Sequence, residues 1–368
     1  MLLRYGESTI PAASTILENL NYLSEKTLRI IHQLTVSEAL VLGLDDFKKL
    51  YFDSTRISAD SAWPTESRTI ADLLCRIRNG IIILREHGIN INLPSDTDDL
   101  LRKIQSCQKS IAMSAGNKDS KKHIKKMYKK ILRLHKKLSA YFESAITRAL
   151  SKINDNILPS LREGLEGLIE HMQVDIYNAN LCAENARERV LRGKKVNPEQ
   201  KVLGIADPDA EIISKGSKPP VFGYKPQVGR SEKGFIVAVL LPQGNAADSG
   251  QLQPIANEAI ANTSVTPEVI SFDDGYTNGK VRKIFLEEGV KVVSFSGSNG
   301  KAQLEDEWDL PEYEEARNKR SMVESTISIL KGFFDLGRFT RRGRKNVTQE
   351  ILTATIFHNV TLLAKLSK

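Results

Sequence analysis

The chain has 368 residues, 40% of them hydrophobic and 27% charged, and 53 Lys and Arg against 45 Asp and Glu give a net charge of +8. This is a globular composition, with enough apolar material for one large core or two modest ones. The three cysteines are far apart and form no CxxC, which excludes a disulfide framework or a zinc site and fits a reducing cytoplasm. Met1–Ser14 lacks the apolar core of a signal peptide, and the longest apolar run, Phe235–Leu241, is far too short to cross a bilayer. The expectation is a soluble, cytoplasmic protein with no membrane partner.

The positive charge is uneven. Lys118 to Arg148 carries eleven basic residues against Asp119 and Glu143, and Arg317 to Lys345 carries nine against Glu324 and Asp335. The blocks are worth +9 and +7, so the rest of the chain is −8. Such blocks are either solvated helix faces or contacts for a polyanion, because neutralised phosphates drive nucleic-acid affinity.

In chain order, residues 1–45 are predicted helical, since Leu17, Leu20, Leu23, Leu28, Ile31 and Leu34 recur at helical spacing. Residues 46–64 hold a predicted strand, Lys48–Ile57, with Asp53 inside it. Residues 65–195 are predicted to be almost wholly helical, with Pro94 and Pro159 marking breaks. Within them Ile124, Met127, Ile131, Leu134, Leu138, Tyr141 and Ala145 form a heptad seam. Lys121, Lys122, Lys125, Lys126, Lys129 and Lys130 occupy the other faces of that helix and are candidate DNA contacts.

Near Gly193 the pattern turns β-rich. Strands are predicted over Glu211–Ser214, Val221–Val228, Phe235–Leu241, Val269–Phe272 and Val290–Ser294. Helices are predicted over Asp248–Ala261, with Asp248 or Ser249 as N-cap, and over Lys280–Glu288. Ser296–Leu310 reads as a loop, Glu312–Lys331 as one long helix and Gln349–Leu366 as a closing one. This order implies an α/β fold with a mixed sheet over 196–345 and a C-terminal helix in 346–368.

Three acids stand out. Asp53 is charged within an apolar strand, and such a residue needs a cation, a metal or hydrogen bonds. Asp273 ends a predicted buried strand, where α/β sheets place their sites, although Asp-Asp-Gly is also a turn sequence. Glu324 lies four residues after Arg320 and seven before Lys331, so the three share a helical face; a surface ion pair is the plainer reading of that spacing. Acids on separate elements suit Mg²⁺, and two such ions drive in-line phosphoryl transfer. Arg320 and Lys331 would then hold phosphates.

These segments resemble the catalytic core of DDE-type transposases of bacterial insertion sequences. Arg320, Glu324 and Lys331 match the Arg, Glu and Lys of the signature around the family's third acid. The stretch Phe333–Gly343, with Arg338, Arg341 and Arg342, is similar to the basic segment after it. Asp273-Asp274-Gly275-Tyr276 resembles the second-acid segment, and Asp53-Ser54-Thr55 with Pro64–Ser67 the first. Lys215-Gly216, Phe222–Lys225 and Gly244–Asp248 resemble the hairpin and turn between those acids.

The resemblance implies a ribonuclease-H-like mixed sheet, with the helical stretch inserted between the first strand and the rest. It implies Asp53, Asp273 and Glu324 as catalytic residues and ligands of two Mg²⁺ or Mn²⁺ ions. It implies DNA contacts by Arg320, Lys331, Arg338, Arg341 and Arg342. The partners implied are transposon ends and target DNA, with the protein a homo-oligomer on DNA in the nucleoid. Two departures stand out. Arg317 occupies the signature tyrosine position, and only Met1–Phe52 precedes Asp53, where relatives carry a longer helical DNA-binding module. The alternatives are therefore a truncated, non-catalytic DNA-binding derivative, or a nuclease that cleaves without strand transfer. No HExxH motif and no GxxxxGK[ST] loop competes with these readings.

Overall fold

The computed structural model describes residues 19, 22–61, 63–114, 120–153, 158–196, 202, 204–216 and 219–367. The predicted helical positions Leu17 and Leu20 and the basic residue Lys118 lie outside them. The chain divides into two compact units: the described residues of Met1–Ala62 with Asp209–Lys368, and those of Trp63–Pro208.

The first unit is α/β. Its main sheet contains β1 (Lys49–Ser54), β5 (Gln227–Ser231), β6 (Ile236–Leu240), β7 (Val269–Phe272) and β8 (Val292–Phe295), in the order β6-β5-β1-β7-β8. The β1, β7 and β8 strands are parallel, whereas β5 runs antiparallel to both β1 and β6. The sheet is thus mixed, and compatible with the ribonuclease-H-like arrangement expected. A smaller sheet holds β2 (Ile57–Ser58), β3 (Glu211–Ile213) and β4 (Val221–Tyr224), in the order β2-β4-β3.

The single strand predicted over Val221–Val228 is two. Pro226 follows β4, and a proline has no N–H to give a ladder, so the chain leaves one sheet there and enters the other. The first predicted strand divides in the same way, into β1 and β2.

Strand alternation sorts β1 by face. Leu50 and Phe52 join Val237, Leu252, Ile255, Ile270 and Phe272 in one buried cluster. Tyr51 and Asp53 point to the opposite face. Helix α1 (Glu25–Val41) begins at Ser24, whose hydroxyl accepts the Thr27 amide, and it packs on α11 (Arg344–Leu366). These two helices shield the open edge of β6. Asn359 on α11 accepts the Ile236 N–H and donates to the Ile236 carbonyl, and His32 on α1 meets the same carbonyl at 2.8 Å. An exposed strand edge invites pairing with other chains, and these side chains close it.

The second unit is helical: α2 (Glu66–Glu86), α3 (Thr97–Ser114), α4 (Ser120–Leu150) and α5 (Pro159–Ala186), the last continuing into a π-helical turn at Arg187–Leu191. Its core includes Ile77, Ile81, Ile104, Leu138, Phe142 and Ile169. Of the heptad positions on α4, Ile131, Leu134, Leu138 and Ala145 are buried, and Ile124, Met127 and Tyr141 are half-buried. Lys121, Lys122, Lys125, Lys126, Lys129 and Lys130 are all exposed. Among the described residues, no helix is long and apolar enough to cross a membrane.

Burial gives the fold a built-in acid sensitivity. Burial lowers His32 from 6.5 to about 4. The unfolded chain therefore takes up this proton near pH 6.5, whereas the folded chain resists until about pH 4. Stability present above pH 6.5 is lost as pH falls through that window. Urea unfolding of His32→Gln is expected to show an acid limb flatter by up to ~3 kcal/mol than that of the wild type.

Candidate active site

Sheet register brings the first two acids together. Parallel pairing sets Leu50 beside Ile270 and Tyr51 beside Ser271, so the same register carried two residues further sets Asp53 beside Asp273. Neighbouring strands lie roughly 4.8 Å apart, which brings the two carboxylates within reach of one cation. Pairing of Phe272 with Phe295 likewise sets Asp273 beside Ser296, and the Ser296 hydroxyl donates to Asp273 Oδ1 at 3.0 Å. Just below, Phe52 and Phe272 stack at 4.7 Å, and Phe295 and Tyr276 lean on Phe272. This aromatic floor fixes the strand ends.

Glu324 arrives from another direction. The predicted single helix over Glu312–Lys331 is two: α9 (Pro311–Arg320) and α10 (Met322–Gly332). The break falls at Ser321. Its hydroxyl donates to the Asn318 carbonyl, and its own carbonyl accepts from Glu324 N three residues on rather than four. Serine competes with helical backbone bonding in this way. Both helices cover the Asp53 face of the sheet. There Arg230 holds the start of α10, donating to the Met322 carbonyl and to Thr326.

Two cations join the acids. The Lys215 ammonium, just beyond β3, lies 2.6 Å from Asp53 Oδ1 and 4.0 Å from Asp273 Oδ2. Arg320 places Nη1 3.2 Å from Asp53 Oδ2 and 3.9 Å from Asp273 Oδ1, while Nη2 lies 3.0 Å from Glu324 Oε1. Asp53 is buried, Asp273 is partly open and Glu324 is exposed. Burial pushes the Asp53 carboxyl above its ordinary value; Lys215 and Arg320 oppose that shift and Asp273 reinforces it. Asp53, Asp273, Glu324 and Lys215 border a cavity of about 530 Å³ together with Arg56 and Lys331.

Among the described residues, no group of three or more His, Cys, Asp or Glu side chains is disposed to hold a metal ion. The acids are joined through Lys215 and Arg320, which balance carboxylates that would otherwise repel one another. The donor set still fits a divalent ion at Asp53 and Asp273. Its atoms are hard oxygens, the kind Mg²⁺ takes. A positive charge already sits among Asp53 Oδ1, the Ser54 carbonyl and Asp273 Oδ2.

The DNA contacts expected in the segment after Glu324 have protein partners. Lys331 donates to the Arg56 carbonyl at 2.8 Å. Arg338 and Arg342 both hold Asp60, each at 3.1 Å, and Arg341 donates to Gln349. Arg317, at the signature tyrosine position, stacks on the Trp308 ring at 3.8 Å and donates to the Trp308 carbonyl.

Two further expectations need correction. Ser296–Leu310 is not a loop, because Gly297–Leu304 forms α8 and Glu305–Asp309 a 3-10 turn. Asp274 supplies the cap: its Oδ1 accepts the Asn299 and Gly300 amides at 2.9 and 3.0 Å. Asp248 does not cap a helix by side-chain bonding. It opens a 3-10 turn ahead of α6 (Leu252–Thr263), and its carboxylate accepts from Lys225, Gln227 and Ser54.

The roles of Lys215, Ser296 and the Lys225–Asp248 pair escaped sequence reasoning. Ser296 had one available signal, since it follows β8 as Asp273 follows β7.

The family model described as Transposase DDE domain matches residues 201–360. This supports a DDE transposase, and with it a polynucleotidyl transferase or endonuclease. The matched stretch is less than half of the chain and contains Asp273 and Glu324 but not Asp53, whose place beside them comes from sheet register. No curated protein and no solved structure matches the chain.

The buried Lys225–Asp248 pair, at 2.9 Å, supports the Ser54 end of the site. Removing one partner leaves an uncompensated buried charge. Lys225→Met is therefore expected to cost ~3–5 kcal/mol in urea unfolding, and Lys225→Met with Asp248→Leu to recover much of that loss.

Proposed function

We propose that this protein is a transposase performing metal-dependent DNA cleavage and strand transfer at insertion-sequence ends. The observation that carries the reading is that Asp53, Asp273 and Glu324, from three separate elements, meet around Arg320 at the mouth of the sheet. Held by Asp53, Asp273 and Glu324, a pair of Mg²⁺ or Mn²⁺ ions would supply activation of a water or a 3′-hydroxyl and stabilisation of the leaving oxygen.

The chain's own residues supply position and charge. Ser296 orients Asp273, and the aromatic floor holds both strand ends. Arg320 bonds Asp53 through Nη1 and Glu324 through Nη2, which keeps the two carboxylates gathered at one point. Lys331 borders the cavity that Asp53, Asp273 and Glu324 line, and Arg338, Arg341 and Arg342 would have to exchange Asp60 and Gln349 for DNA phosphates. The lysine face of α4 would follow the DNA backbone, and the protein would act as a homo-oligomer on paired ends.

A second reading is a DNA-binding protein without catalysis. It is favoured by one observation: the carboxylates are already neutralised by Lys215 and Arg320. Cleavage of DNA carrying the element's ends separates the two. The wild type is expected to nick these ends only with Mg²⁺ or Mn²⁺. Asp273→Asn is expected to lose more than 100-fold in rate while retaining salt-sensitive DNA binding. Cleavage by Asp273→Asn at the wild-type rate would remove Asp273 from the chemistry, and no cleavage by the wild type would favour the second reading.

A further inference from the structure

Lys215 stands apart from the other cations near the site. Arg320 is tied to Asp53 and Glu324 with its side chain 13% exposed, and Lys225 is locked on Asp248 at 8%. The Lys215 side chain is 27% exposed and rises from a turn in which Gly216 adopts φ +60°. Its ammonium can therefore leave for the cavity without opening a core. In place, it lies 2.6 Å from Asp53 Oδ1, 2.6 Å from the Ser54 carbonyl oxygen and 4.0 Å from Asp273 Oδ2. Two carboxylates and a backbone carbonyl, all oxygen donors, are the set a hard divalent cation takes.

We infer that Lys215 is an intramolecular occupant of the divalent-cation position, competing with the metal for Asp53 and Asp273. The inference rests on the metal-dependent reading above. Without metal, Lys215 neutralises a buried carboxylate that would otherwise be costly to charge. A divalent ion at the same oxygens must expel it, because two cations cannot share them. The displaced ammonium then borders the same cavity as Arg56 and Lys331, where a DNA phosphate is the complementary anion. Lys215 is thus a positioning residue that sets how much metal the site requires.

The test is direct Mn²⁺ binding to the full chain, with free Mn²⁺ measured by electron paramagnetic resonance. Lys215→Gln is expected to tighten Mn²⁺ binding at least tenfold, since both competition and repulsion disappear. Lys215→Ala serves the same comparison should the first variant fail to fold. Lys215→Arg, which keeps the charge, is expected to bind like the wild type. A merely structural role would weaken binding in these variants rather than tighten it. If Asp53→Asn abolishes binding while Lys215→Gln and Lys215→Ala match the wild type or bind more weakly, the Lys215 inference falls and the metal reading stands. If Asp53→Asn binds as tightly as the wild type, the metal reading falls and this inference with it.

Discussion

A carboxylate buried at the end of a central strand is the constraint on which the site depends. Asp53 sits between two neighbours in the sheet and is 5% exposed. Taking an ion out of water costs several kcal/mol unless charge and hydrogen bonds replace the hydration. The fold supplies both. The Ser54 amide donates at 2.7 Å, and Lys215 and Arg320 approach from two different elements. Each cation also reaches Asp273, and Arg320 extends the network to Glu324. Satisfying one buried acid thus gathers the others around it.

The surrounding architecture keeps that point fixed. Parallel register sets Asp273 level with Asp53 and Ser296 level with Asp273. Stacked aromatic rings hold the strand ends from below, and Gly229 on β5 leaves room for the Phe52 ring, against which a Cβ would collide. On the other face, Arg230 ties the start of α10 to the sheet, so the helix bearing Glu324 cannot drift from the strand bearing Asp53. Regulation by Lys215 would be laid over this rigid frame, since the lysine lies just beyond β3 and its side chain is more exposed than those of Arg320 and Lys225.

Much of this was legible in the sequence because it is local. Apolar runs marked the strands, and Val269–Phe272 was placed to the residue. The spacing of Arg320 and Glu324 survived a helix break because the pair still spans one turn. What escaped was non-local. The cap of α8 comes from Asp274, more than twenty residues upstream, so the Gly- and Ser-rich segment looked unsupported. The partner of Asp53 is Lys215, 162 residues away, and nothing in the spacing of either residue announces it. Asp248 lay where N-caps lie, yet Ser54 on β1, Gln227 on β5 and Lys225 between β4 and β5 claim it. Arg338 and Arg342 were expected as DNA contacts, and Asp60 takes them both.

The central claim is that the oxygens of Asp53 and Asp273 form one divalent-cation position. The most direct measurement is a crystal structure grown with Mn²⁺, with data collected at the metal's absorption edge. The account expects an anomalous peak at metal–oxygen distance, roughly 2.0–2.3 Å, from a carboxylate oxygen of each residue, with the Lys215 ammonium displaced. Lys215 still bound to Asp53, with no peak between the two carboxylates at saturating Mn²⁺, would contradict it.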